Sequence, residues 1–197
     1  MTVDIFKPEL RNKDQWCPRD VQNWFNYITS VGWLPIYEAA SQESGEKLSV
    51  LMAQGTKEGG LGFYRQHPDG KVIGDHGVAF GLHQLHAFGG QTAEDLLPPE
   101  KNIPEAAKRL VANRRGVRRY ATLHNLTMSR ELETQLVLDA YNRGLTGELR
   151  AYERDPEHPD ALTAGGNYAS DILARAVVVD QLLEAYRKES SSATDCQ

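Results

Sequence analysis

Glu58 opens the stretch of this chain that is richest in groups able to do chemistry, residues 58–86, EGGLGFYRQHPDGKVIGDHGVAFGLHQLH. Asp75 follows, with His76, His83 and His86, Gln84, and glycines set among apolar and aromatic residues. Two chemistries suit these residue types. A carboxylic acid at the edge of an apolar surface holds its proton near neutral pH and can donate it to a leaving oxygen, as glycoside cleavage requires. Asp75 is then the candidate for a water-activating base, unless it is simply a turn-forming aspartate. Alternatively, Asp75-His76 with His83-x-x-His86 reads as a metal site, since a three-residue spacing puts two imidazoles on one helix face. The glycine-rich pattern between them is not clearly helical, so no metal and no other cofactor is expected.

The elements that must position Glu58 can be read from periodicity. Residues 46–58 predict a helix whose inner stripe is Leu48, Leu51, Met52 and Gly55. Glu58 falls seven residues past Leu51, at the edge of that stripe, and Gly59-Gly60 supplies a helix stop. Partial burial and the negative end of the helix dipole both raise the pKa of an acid placed there. Two turn signals, His-Pro-Asp-Gly and Ile-Gly-Asp-His-Gly, bracket Lys71-Val72-Ile73 and predict a short strand in a small hairpin.

Upstream, Val21, Trp24, Phe25 and Ile28 are spaced for an amphipathic helix over 18–30, with Pro18 in its first turn and Gly32 beyond its end. Residues 33–40 suit a short helix or a packed connection, and the polar SQESGEK a loop or the start of the next helix. Downstream, Pro104 marks a helix start with Ala106, Ala107, Leu110 and Val111 inward. Ser129 caps a helix through about Tyr141. Residues 145–167 read as loop. A last long helix begins near Tyr168, and the polar tail 188–197 is expected to be disordered.

The length of 197 residues favours one domain. Together the elements predict a mainly α fold with one small β-hairpin beside the cleft: an N-terminal helical extension (1–44), a catalytic unit (45–187) and the tail. A net charge of −5 argues against a general nucleic-acid partner, and no run of about 18 apolar residues suggests a membrane span. Lys108, Arg115 and Arg119 share a face if the helix there runs through Gly116, and such a cluster is more often a solvated face than an anion site. Cys17 and Cys196, too few for a disulfide framework, read as one buried and one free thiol, with a bridge between the termini as the alternative. The start, MTVDIFKPELRNK, lacks the basic and apolar regions of a secretory signal.

The residues resemble a known family. Glu58 at a helix end, with Gly74-Asp75-His76-Gly77 and Phe80-Gly81-Leu82-His83-Gln84, looks like the core of goose-type lysozymes and the related lytic transglycosylases. Asn102-Ile103 with Ala106-Ala107, then Asp139-Ala140-Tyr141-Asn142-Arg143-Gly144, then Tyr168 to Ala176, are similar to three further segments in the same order, so the likeness covers about residues 45–185. Gly59 stands where the family usually has serine, His83 where it has methionine, and Arg143 where it has alanine. His86 stands near where goose-type members can carry a second acid.

The resemblance implies an α+β lysozyme-like fold and cleavage of the β-1,4 bond between N-acetylmuramic acid and N-acetylglucosamine in peptidoglycan. Glu58 would be the acid, with Asp75 as base roughly 6.5–9.5 Å away if water attacks with inversion. Glu58 alone would serve a lytic transglycosylase, which ends in 1,6-anhydro products; a non-catalytic wall-binding module is the third reading. The expected glycan contacts are Phe80, Gln84, His86, Tyr141, Asn142 and Tyr168, although core packing is nearly as good an account of the two tyrosines. The partner is then the peptidoglycan strand, met by a monomer that reaches the wall through a holin, a phage tail or an injection system.

Overall fold

The computed structural model describes residues 15–163 and 165–194. Among the described residues there are eight α-helices and one small sheet: α1 (Pro18–Ser30), α2 (Leu34–Ser44), α3 (Leu48–Glu58), α4 (Ala93–Leu96), α5 (Pro99–Leu123), α6 (Arg130–Arg143), α7 (Leu145–Arg154) and α8 (Tyr168–Thr194). The sheet is antiparallel in the order β1 (Ile73–Gly74), β2 (Ala79–Phe80), β3 (Leu85–His86), with Ile73 opposite Phe80 and Phe80 opposite Leu85. This is the mainly helical fold with a small β element that the sequence predicts, with a third strand added to the hairpin.

The centre is α3. Ser49 through Lys57 are all buried, so the helix is enclosed on nearly all sides rather than along one stripe. It lies against α2 and α8, and α5 packs on α2 and α6. The predicted face of α1 is the observed one: Val21, Trp24, Phe25 and Ile28 are buried and join the same core as α3 and α8. Pro18 sits at its first position, and Asp20 accepts from the Cys17 backbone at 2.9 Å, satisfying an orphan donor of the first turn.

Several boundaries differ from the periodicity reading. The polar SQES segment continues α2 to Ser44, where Gly45, at φ 74°, ends it in the left-handed conformation. Pro104 lies inside α5, which begins at Pro99. Pro104 is the sixth residue of the helix and lacks the N–H that would reach Glu100 O, so one intrahelical hydrogen bond is lost there. That helix does run through Gly116, where a Cβ would lie 2.1 Å from Leu145 Cδ2, so α5 and α7 meet at closest range there.

Residues 145–154, read as loop, form α7, whose buried positions are Glu148 and Ala151. A buried glutamate hides the helical period from a hydrophobicity pattern. Ser129 caps α6 as expected, its Oγ accepting from Leu132 at 3.1 Å. α8 starts at Tyr168 but continues through Thr194, beyond the 187 boundary. Cys17 is a free thiol; Cys196 and the first fourteen residues lie outside the described residues. Among those described, no helix is long and apolar enough to cross a membrane.

Candidate active site

Glu58 is the last residue of α3 and is half-buried. Gly59, its C-cap, donates to Gly55 O at 3.0 Å, and a Cβ at Gly59 would stand 2.8 Å from Leu82 O. The turn between β2 and β3 therefore presses on the end of α3 at a distance only glycine allows. Across the site, the Tyr168 hydroxyl, from the first residue of α8, donates to Glu58 Oε1. The Tyr141 hydroxyl, from α6, donates to His83 O at 2.9 Å. Burial first, and then the charge of Glu58, push both phenols well above their ordinary range, so both stay protonated, Tyr168 donating to Glu58 and Tyr141 to the turn beside it. Three helices distant in sequence thus converge on one carboxyl group.

The floor is the turn Gly81-Leu82-His83-Gln84 between β2 and β3. Asn102, fully buried on α5, clamps it: Oδ1 accepts from His83 N at 2.9 Å, while Nδ2 donates to Phe80 O at 2.9 Å and Leu96 O at 2.6 Å. Gly81 sits at φ +73° with Asn102 Nδ2 2.2 Å from where its Cβ would be, so both conformation and space require glycine. His83 is fully buried, its Nε2 3.2 Å from the Tyr37 hydroxyl, and burial pushes its pKa down to about 3. It is a neutral core histidine.

Gln84 is half-buried. Its Nε2 donates to Gly81 O at 2.8 Å and its Oε1 lies 2.0 Å from the position a Cβ on Gly74 would take. The amide therefore closes the turn on itself and packs against Gly74 of β1. Phe80, in β2, is half-buried and Asn142 is exposed.

Asp75 and His86 share a different setting. Asp75, at φ 45°, begins an exposed 3-10 turn, and its side chain is 61% exposed. Across from it, the His86 imidazole on β3 lies 3.7 Å from its Oδ2. The His86 carbonyl accepts from Arg109 at 2.7 Å, which fixes the strand rather than the imidazole. His83 and His86 thus point to different surroundings, and among the described residues no group of three or more His, Cys, Asp or Glu is arranged to hold a metal ion.

Three positions where the chain departs from the lysozyme-like pattern have local partners. Gly59 makes room for the Leu82 backbone, and His83 packs on Tyr37 and Gly55. Arg143 pairs with the buried Glu148 at 3.5 Å.

Groups that the sequence reading did not single out surround the site. Behind the last turn of α3, Lys57 and Arg175 both pair with Asp171, at 2.8 and 2.9 Å, and Trp16 Nε1 donates to the same carboxylate. Asp139, Glu148 and Asp160 gather under the start of α8. Asp139 was visible only as part of its motif and Asp160 only as a turn residue in DPEHPD. No one-dimensional period links them. A scan against models of known protein families found no match to this chain, and a search of curated proteins found none either.

Proposed function

We propose that this chain cleaves peptidoglycan as a muramidase, with Glu58 as the general acid at the β-1,4 bond between N-acetylmuramic acid and N-acetylglucosamine. The observation that carries the reading is the convergence on Glu58: a half-buried carboxyl group at the end of the central helix, met by protonated Tyr168 and with Tyr141 beside it. A general acid must be held where the leaving oxygen arrives, and it gains from a site that excludes water. In the reaction, Glu58 transfers its proton to the glycosidic oxygen as the bond to the anomeric carbon breaks. The Tyr168 hydroxyl then compensates the carboxylate that remains. The order of segments resembling goose-type lysozymes and lytic transglycosylases supports the same class.

The fate of the oxocarbenium-like centre separates two courses. In hydrolysis a water attacks, activated by a second carboxylate, for which Asp75 is the candidate. In lytic transglycosylation the carboxylate of Glu58 takes the proton of the sugar's own 6-hydroxyl, which closes on the anomeric carbon as a 1,6-anhydro ring. The exposure and turn geometry of Asp75 favour the second course, since among the described residues its carboxylate is met only by the exposed His86 at 3.7 Å.

The test is digestion of purified peptidoglycan followed by mass spectrometry. Soluble muropeptides from the wild type and none from Glu58→Gln are expected; lysis undiminished in that variant overturns the acid assignment. Anhydro-muramic ends identify transglycosylation and reducing ends hydrolysis. Binding to walls without any release would make the chain a wall-binding module.

A further inference from the structure

The first turn of α8 carries Tyr168, and its backbone donors are taken by side chains from elsewhere. Tyr168 N donates to Thr163 Oγ1 at 3.2 Å. Ala169 N is shared between two carboxyl groups, Asp139 Oδ1 on α6 at 3.2 Å and Asp160 Oδ1 at 3.1 Å. Asp160 Oδ2 accepts from Ser170 N at 3.0 Å and Ser170 Oγ at 2.7 Å, and its Oδ1 accepts from Thr163 Oγ1 at 2.9 Å. Asp139 is fully buried and Asp160 nearly so, which is costly for two acids side by side unless they share a proton. The pair also joins α6 to α8, the two helices that bring Tyr141 and Tyr168 to Glu58.

We propose that Asp139 and Asp160 are a positioning pair: together they seat the first turn of α8 and so fix where the Tyr168 hydroxyl meets Glu58. The inference rests on the reading of Glu58 as the acid only for its effect on lysis. A single proton on Asp139, directed to Asp160, gives a partner to Asp139 Oδ2, which is otherwise buried without one. Burial, then the hydrogen bond and charge of Asp160, then the charge of Glu148 on α7 push Asp139 up to about 9, while Ala169 N–H opposes. Burial acts against Asp160, yet hydrogen bonds from Asp139, Ser170 and Thr163 hold it below the usual carboxylate range. Arg143 on α6 faces Glu148. An asparagine at 139 would keep the donor to Asp160 and the acceptor for Ala169, whereas an alanine at 160 would release Tyr168.

The experiment follows the phenol carbon of Tyr168 by carbon-13 magnetic resonance in tyrosine-labelled protein at neutral pH, the signal being assigned by its loss in Tyr168→Phe. Asp139→Asn should leave that signal in place and Asp160→Ala should move it. An unmoved signal in folded Asp160→Ala overturns the proposal. If Asp160→Ala does not fold, Asp160→Asn, which keeps one acceptor oxygen, is read in the same way.

On peptidoglycan, Asp160→Ala should lower kcat by about tenfold or more with a smaller change in KM, as expected for misplacement near an acid. It should add little further loss in a Tyr168→Phe background. Additive losses in that cycle also overturn the proposal. The resonance signal does not depend on lysis, so a wild-type protein that digests no wall would refute the functional reading and leave the pair to be judged separately.

Discussion

Glu58 and Asp75 belong to one glycine-rich stretch, yet the fold restrains them in opposite ways. Glu58 closes a helix buried on nearly all sides and is reached by Tyr168, whose backbone is held in turn by Thr163. Asp75 lies in a left-handed turn with an exposed side chain, and an exposed histidine stands 3.7 Å from its carboxylate. A group that must meet a reacting oxygen needs restraints from several directions. Glu58 has them because α3, α6 and α8 come together there; Asp75 has only what its own loop supplies.

The largest expected effect breaks the first half of this contrast. Glu58→Gln should reduce wall lysis by roughly 10²–10⁴-fold, the range of general acid catalysis, with thermal stability nearly unchanged, measured by release of soluble muropeptides and by circular dichroism. Next comes the turn packed on the end of α3. Gly81→Ala meets both a positive φ and the Asn102 amide, and should destabilise the protein by about 1–3 kcal/mol, read from urea midpoints. Tyr168→Phe removes one donor to the acid and should lower lysis by about tenfold while leaving the fold intact.

A fourth expectation concerns pH. Burial pushes Glu148 up to about 7 from an ordinary value of 4.5, with Arg143 opposing and Asp160 adding to the rise. Its folded form therefore holds a proton that the unfolded chain has lost. The stability it contributes is full below about 4.5 and declines as pH rises to about 7. Glu148→Gln should flatten the fall in thermal midpoint across that window. The smallest effect sharpens the contrast itself: Asp75→Asn should change lysis by less than about threefold if Glu58 works alone. A loss comparable to that of Glu58→Gln would restore Asp75 as the base.

The helices were legible where apolar residues recur at helical spacing, as in α1, α6 and the start of α8. α7 was not legible, because its inward residue Glu148 is charged, and the helix at α3 was legible but not the burial of Lys57 against Asp171 at its end. Pro104 misplaced the start of α5 because proline is tolerated inside a helix near its beginning. In the candidate site, Glu58, Tyr141 and Tyr168 were named from the sequence and meet in the fold. Asn102 had been read only as part of a helix signature; the chain shows that its amide is the clamp of the turn.

By itself the sequence determined the acid at a helix end, the glycine turns beside it and the mainly helical class, because these follow from periods and turn chemistry within a few residues. Tertiary structure alone decided that His83 is a buried neutral residue against Tyr37, that Gln84 ties the turn together and that Asp75 stays in solvent. It also brought Asp139 and Asp160 under the residue that touches Glu58. Those outcomes depend on which distant groups share a buried space, where desolvation and hydrogen bonding set a side chain's charge and role.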